Sequence, residues 1–316
     1  MRASAFRAFG GPEVVHVVEL PRPRAAAGEV VVRVTAATVN PTDLLMRAGK
    51  QLAMMTGLEP PFVAGMEFAG VVHEVGAGVT TCQVGQLVMG LINPRRPERG
   101  AHAEFVPAPA ASVVPLAEGV DPCAAATVPM NGLTALMVIE ALDLPLGAVV
   151  WVSGGAGAVG GYVMALAKRA GLHVVADAKD SDVDLLRHLG ADDIVARGDV
   201  ACARLRERWP QGVDGFVDAA LLGTPAAACV RDGGVAVTLR TANPIVDARL
   251  RVRHVSVTQR VHDGPGLQRL AQLFSDGTLK PRVALRLPME EAVQAHRLVE
   301  AGGLRGRVVL GFSGQD

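Results

Sequence analysis

The spacing of apolar residues changes near residue 120. Before that point short β-like runs recur: Val14-Val15-His16-Val17-Val18, then Glu29-Val30-Val31-Val32-Arg33-Val34, then Gly70-Val71-Val72-His73-Glu74-Val75. Gly10-Gly11-Pro12 and Gly76-Ala77-Gly78 separate them as turns. The pattern predicts a β-rich domain over residues 1–120. From Asp121 the period lengthens, and residues 124–142 read as one long apolar helix. Strands are then expected at 148–153, 173–177, 193–196, 213–218 and 234–239, with helices at 158–170, 181–189, 200–208 and 224–230 between them. Such alternation predicts an α/β fold with a doubly wound parallel sheet over residues 121–260. A Val-containing strand at 253–258 is expected at its edge. Helices at 266–276 and 288–301 and a last strand at 306–311 complete the chain.

Composition narrows the function classes. The chain has 316 residues, half of them apolar, which suits about two domains. Lysine plus arginine equal aspartate plus glutamate at 31 each, and no basic run stands out, so a nucleic-acid partner is not expected. The N-terminus has no apolar signal core, and no apolar run is long enough to span a membrane. Cys82, Cys123, Cys202 and Cys229 lie far apart without a C-x-x-C pair. They are expected as unpaired residues of a reducing, cytoplasmic compartment. Arg95-Arg96-Pro97-Glu98-Arg99 reads as a solvated charged loop.

One segment carries chemistry. Residues 153–160 read Ser-Gly-Gly-Ala-Gly-Ala-Val-Gly, between the apolar run Ala148-Val149-Val150-Trp151-Val152 and a helical pattern beginning near Tyr162. Gly155, Gly157 and Gly160 therefore form G-x-G-x-x-G at a strand-to-helix turn. The first glycine permits the tight turn. The second admits a pyrophosphate to the backbone, and the third lets helix and strand approach closely. With Ala156, Ala158 and Val159 they form the expected cradle of a dinucleotide.

Further segments carry a family likeness: Phe9-Gly10-Gly11-Pro12-Glu13-Val14, Val39-Asn40-Pro41-Thr42-Asp43 with Arg47 and Gly49, Gly65-Met66-Glu67-Phe68-Ala69-Gly70-Val71-Val72, Gly132-Leu133-Thr134-Ala135, Leu189-Gly190-Ala191-Asp192 and Gly306-Arg307-Val308-Val309-Leu310. In these the chain resembles the medium-chain dehydrogenase/reductase superfamily, in particular its zinc-free quinone oxidoreductase branch. The resemblance implies a GroES-like catalytic domain formed by residues 1–120 and 261–316, and a Rossmann domain over 121–260. It also implies an active site in the cleft between them, with Thr134 beside the cofactor. Zinc-dependent relatives carry Cys, His and a third Cys or Asp as ligands. Here Asn40, Met66 and a position close to Met130 stand instead, so no catalytic zinc is expected. Residues 90–102 also lack the cysteines of a structural zinc lobe. The branch often carries Tyr shortly after the Arg47 position. Gly49-Lys50-Gln51-Leu52 departs from that, so a relative's substrate does not carry over.

The nucleotide is read from the end of the second strand of the cofactor domain. Asp177 lies near the acid that binds the ribose of NADH, although slightly short of its expected place. Lys179 and Arg197 stand where partners of a 2′-phosphate would be, and NADPH is favoured over NADH. Hydride transfer to a quinone or an α,β-unsaturated carbonyl compound is the expected reaction. Asn40 is the expected hydrogen-bond donor to the developing oxyanion or, as an alternative, an amide that orients the cofactor. Asn131 is a second candidate donor, although a cap at the start of the helix is the favoured reading of it. Lys50, Met54, Met66 and Met130 are candidates for the substrate pocket, with solvated loop and core packing as the plainer readings. Two alternatives remain open at this point: an enoyl reductase tailoring a polyketide-like or other specialised metabolite, and a low-activity nucleotide-binding sensor or structural protein. A homodimer is expected through the 253–258 edge.

Overall fold

A computed structural model describes residues 1–198, 200–240 and 242–312. The chain divides into two units. The first comprises residues 1–130, 260–277 and those from 281 onward; the second comprises 131–259 and 278–280.

The first unit opens with β1 (Arg2–Phe6) and β2 (His16–Glu19), followed by β3 (Glu29–Val39), α1 (Pro41–Arg47), β4 (Phe62–Val63) and β5 (Glu67–Val75). β6 (Leu87–Leu91), β7 (Phe105–Pro109), β8 (Val113–Pro115) and α2 (Pro122–Ala125) come next. Because α2 packs on β3 and β5, the first unit runs past residue 120 to Met130. The helix expected over 124–142 is two helices, α2 and α3 (Pro129–Leu142). Pro129 cannot donate to a preceding turn, so a new helix starts with it.

The second unit continues with β9 (Val149–Ser153), α4 (Ala158–Arg169), β10 (His173–Ala178), α5 (Val183–His188), β11 (Asp193–Ala196), α6 (Val200–Arg208) and β12 (Val213–Asp218). α7 (Thr224–Ala227), β13 (Val230–Thr238) and β14 (Arg251–His254) complete it. The sheet order is β11-β10-β9-β12-β13-β14, and every pair in it is parallel. At the centre of this sheet β9 is a near-continuous apolar run, as a sheet covered on both faces requires. Trp151 and Phe216, stacked at 4.5 Å, centre one of its cores with Val175 and Leu205. The edge strand is β14, shorter than the expected 253–258. Its partner β13 ends at Thr238, opposite His254, so the ladder has nowhere to continue and residues Val257–Arg260 turn into a 3-10 helix. Cys202 and Cys229 form a disulfide with Cα atoms 5.4 Å apart. This corrects the expectation of four unpaired cysteines. A separation of 27 residues does not reveal that α6 and the end of α7 adjoin.

The return segment holds α8 (Gly264–Ser275), β15 (Val283–Pro288), α9 (Ala292–Ala301) and β16 (Arg307–Gly311). β15 escaped the sequence reading, and the helix expected from 288 begins four residues later because Pro288 closes the strand. The large sheet of the first unit runs β15-β16-β3-β5-β6-β8, with β7 also paired to β3; β2-β1-β4 form a small antiparallel sheet. Val30, Val32, Val34, Phe68, Val72, Val106 and Leu310 fill its core. The charged loop at 95–99 is folded onto this unit rather than solvated. Arg99 Nε donates to Pro61 O at 2.8 Å, Arg96 donates to Arg99 O and Pro107 O, and Arg95 donates to Gln51 at 2.7 Å.

Candidate functional site

In the second unit the glycine turn joins the carboxyl end of β9 to α4. Gly154 has φ +65°, a conformation that favours glycine. Gly157 is the N-cap of α4. A Cβ on Gly160 would collide with the carbonyl oxygen of Gly154, and one on Gly155 would press on Met164 and Leu186 at 3.0 and 3.1 Å. Gly160 is thus the close-approach position, and Gly157, Ala158 and Val159 remain at or near the surface while Ala156 is buried. Amides of the first helical turn have no intrahelical acceptor, so a twelve-residue helix presents them, with its positive dipole end, to an anion. Beside the turn, Ser153 Oγ donates to Asp218 Oδ1 at 3.1 Å, and Asp218 accepts the amides of Leu222 and Gly223. These bonds tie β9 to β12, the two strands between which the order of the sheet reverses. That is where open parallel sheets bind ligands. The cradle therefore fits the pyrophosphate of a dinucleotide.

Asp177, Lys179 and Arg197 cluster at the carboxyl ends of β10 and β11. Arg197 Nε donates to Asp177 Oδ2 at 2.9 Å. Asp177 is buried, and Lys179 is exposed one residue beyond β10. Thr134, on α3, is also buried.

In the first unit, strand register builds a polar cluster. Ala37 pairs with Phe68 and Val39 with Val308, so Thr38 comes opposite Glu67 and Asn40 opposite Arg307. Thr38 Oγ1 donates to Glu67 Oε1 at 2.6 Å, and the Met130 amide donates to Glu67 Oε2 at 2.8 Å. Asn40 Nδ2 donates to Thr38 Oγ1 at 2.9 Å and to Glu67 Oε1 at 3.2 Å, while its Oδ1 accepts from Arg307. Arg307 also pairs with Glu67 at 3.4 Å. Burial pushes the Glu67 carboxyl above its ordinary range, against the pull of Arg307, Thr38, the Met130 amide and Asn40.

This arrangement corrects the expectation for Asn40. Both amide hydrogens are committed to Thr38 and Glu67, and the residue is fully buried, so it has no hydrogen left for a substrate oxygen. It positions Glu67 and Arg307 instead. Asn131 differs: it lies inside α3 rather than capping it, and its Nδ2 is buried without an acceptor among the described residues. The expected pocket residues separate. Lys50 and Met54 are exposed, while Met66 is buried and its carbonyl accepts from Ile92. Leu58, Glu59, Phe62, Arg96 and Arg99 line a cleft of about 240 Å³ in this unit. Sequence reasoning missed the role of Arg307. The one available signal was a charge abutting the apolar run Val308-Val309-Leu310.

A catalytic zinc does not fit these residues. The carboxamide of Asn40 and the thioether of Met66 are not zinc ligands, and Glu67 is engaged by Arg307. No group of three or more His, Cys, Asp or Glu able to hold a metal occurs among the described residues.

A dinucleotide cradle and a GroES-like β unit in one chain define an oxidoreductase. The family described as Alcohol dehydrogenase GroES-like domain matches residues 26–118, and that described as Zinc-binding dehydrogenase matches residues 189–310. The chain belongs to the medium-chain dehydrogenase/reductase superfamily, in its quinone oxidoreductase branch. It is similar to the 2-methylene-furan-3-one reductase of Solanum lycopersicum, with 28% identity over 98% of this chain and 79% of the relative. Among solved structures it is similar to the quinone oxidoreductase of Coxiella burnetii, with 27% identity, 98% and 99% of the two chains covered and a TM-score of 0.84. It is likewise similar to a mycobacterial protein solved as a complex with NADPH, with 26% identity, 98% and 100% covered and a TM-score of 0.84.

Proposed function

We propose that the chain is an NADPH-dependent reductase of small quinones or α,β-unsaturated carbonyl compounds, working without a metal. The observation that carries this reading is the cradle of Gly154 to Gly160 at the carboxyl end of β9, which suits a pyrophosphate. Bound NADPH would supply a hydride. Relatives named as quinone oxidoreductase and 2-methylene-furan-3-one reductase support the substrate class, and the relative solved with NADPH supports the nucleotide.

The protein's own part is binding, orientation and electrostatics. The glycine turn and the first turn of α4 hold the pyrophosphate, and Lys179 and Arg197 face the 2′-phosphate. Hydride arriving at carbon leaves negative charge on the acceptor's oxygen, and a proton from water completes the reduction. Asn131, whose Nδ2 has no acceptor among the described residues, is the residue proposed to donate to that oxyanion. The cluster of Asn40, Glu67 and Arg307 gives no Lewis acid with which to lower an alcohol's pKa, so simple alcohols are not oxidised.

The test is turnover of an enone and quinone panel with NADPH carrying deuterium at the transferred position. Deuterium is expected on the β-carbon of a reduced enone, with activity unchanged by a chelator. Label on a carbinol carbon, or activity that needs added zinc, overturns the proposal. Asn131→Ala is expected to lower turnover about tenfold or more, as loss of an oxyanion donor does.

A further inference from the structure

We propose that Arg197 selects NADPH over NADH by capping an acid that would otherwise bind the ribose of NADH. The inference rests on the proposed dinucleotide site and concerns only its adenosine end.

Asp177 stands on β10 at the sheet's carboxyl edge, where a carboxylate accepts hydrogen bonds from an unphosphorylated ribose. Its carboxylate is not available for that. The residue is 2% exposed; Oδ2 accepts Nε of Arg197 at 2.9 Å, and Oδ1 is buried without a partner among the described residues. The placement of Arg197 follows from the strand register. Asp177 pairs with Val195 and Ala178 with Ala196, and the Arg197 amide donates to Ala178 O at 2.9 Å. The arginine therefore leaves β11 beside the acid and folds back across it.

That geometry divides the guanidinium. Nε is bound to Asp177, whereas neither Nη donates to a described residue, and the side chain is 35% exposed. The two Nη groups form the fork that binds phosphate oxygens in pairs. Lys179, exposed two residues after Asp177, adds a second cation. The free Arg197 fork and Lys179 together offer two cations to a 2′-phosphate. The 2′-hydroxyl of NADH meets no open acceptor, because the arginine covers the carboxylate. Asp177 thus becomes a support that holds the fork by its Nε, and its capacity to recognise NADH is latent.

Equilibrium binding of NADPH and NADH, followed by nicotinamide fluorescence, tests this without reference to turnover. Arg197 is a surface residue, so Arg197→Ala is expected to keep the fold, checked by circular dichroism. The unaltered chain is expected to bind NADPH more tightly. Arg197→Ala is expected to weaken NADPH about ten- to a hundredfold, by loss of charge-assisted hydrogen bonds, and to strengthen NADH by uncovering Asp177. The gain in NADH affinity is expected to vanish in the double variant Arg197→Ala with Asp177→Asn. Tighter NADH binding by the unaltered chain, an equal loss for both nucleotides in Arg197→Ala, or no gain for NADH overturns the inference while the dinucleotide site stands. Binding of neither nucleotide by the unaltered chain overturns the site itself, and the inference with it.

Discussion

His296 shows how one buried residue sets a response to acid. Its Nδ1 lies 3.2 Å from Nη1 of Arg47, a group that only donates, so the imidazole accepts there and is neutral. Burial, His102 and Arg47 push it down to about 3. The unfolded chain binds a proton at His296 below about pH 6.5, whereas the folded chain does so only near 3. Stability from this residue is therefore complete above about pH 6.5 and is lost as the pH falls toward 3, by up to roughly 4 kcal/mol. His296→Gln is expected to flatten the decline of the melting temperature between pH 6 and 4; an unchanged slope would assign the acid response to other groups. Arg307 makes the opposite kind of test. It is the cationic partner of the fully buried Glu67, so Arg307→Ala leaves a buried carboxylate uncompensated. The expected loss is about 3–5 kcal/mol by denaturant unfolding. A loss under about 1 kcal/mol, the level typical of an exposed ion pair, would mean that Thr38, Asn40 and the Met130 amide suffice for the buried carboxylate.

At the scale of elements, periodicity and punctuation were legible and partners were not. The alternation of strands and helices after residue 148 was readable because apolar runs bounded by glycine recur there. The turn at Gly155, Gly157 and Gly160 was readable because its flanks were. β15 was not: its side chains are mostly exposed at a sheet edge, so its burial pattern lacks the alternation of a half-buried strand. The break between α2 and α3 was written in Pro129 but masked by the apolar residues around it. The glycine turn itself is testable at this scale. Gly160→Ala forces a Cβ onto the Gly154 carbonyl, so the start of α4 must move away from β9. NADPH affinity is expected to fall about tenfold or more, since a displacement of this kind removes amides from the pyrophosphate. Unaltered affinity in a folded Gly160→Ala variant would show that the cradle tolerates the shift.

For the whole molecule, the exposed sheet edge bears on assembly. β14 is the last strand of the parallel sheet, and its Arg251, Arg253 and His254 are exposed. An unpaired edge invites pairing, and a second copy of the same strand across a twofold axis would close it. A dimer mass is expected by light scattering at micromolar concentration, and Val252→Pro, which removes a ladder donor, is expected to shift it toward monomer. A monomer mass for the unaltered chain would mean that the arginines protect the edge. No described helix is long and apolar enough to cross a membrane.

The sequence by itself determined the class of fold and the position of the glycine turn. Each of these is local or periodic, carried by residues within one turn, one strand or one helix. Tertiary structure alone decided which polar groups remain available. The register of β3 with β5 and β16 turned the amide of Asn40 inward to Glu67 and Arg307, whereas Asn131 Nδ2 has no acceptor among the described residues. The register of β10 with β11 laid Arg197 across Asp177. The approach of α6 to the end of α7 joined Cys202 to Cys229. Hydrogen-bonding capacity is finite and is spent between residues far apart in the chain. No pattern read along one strand reveals which of its polar atoms another strand has already taken.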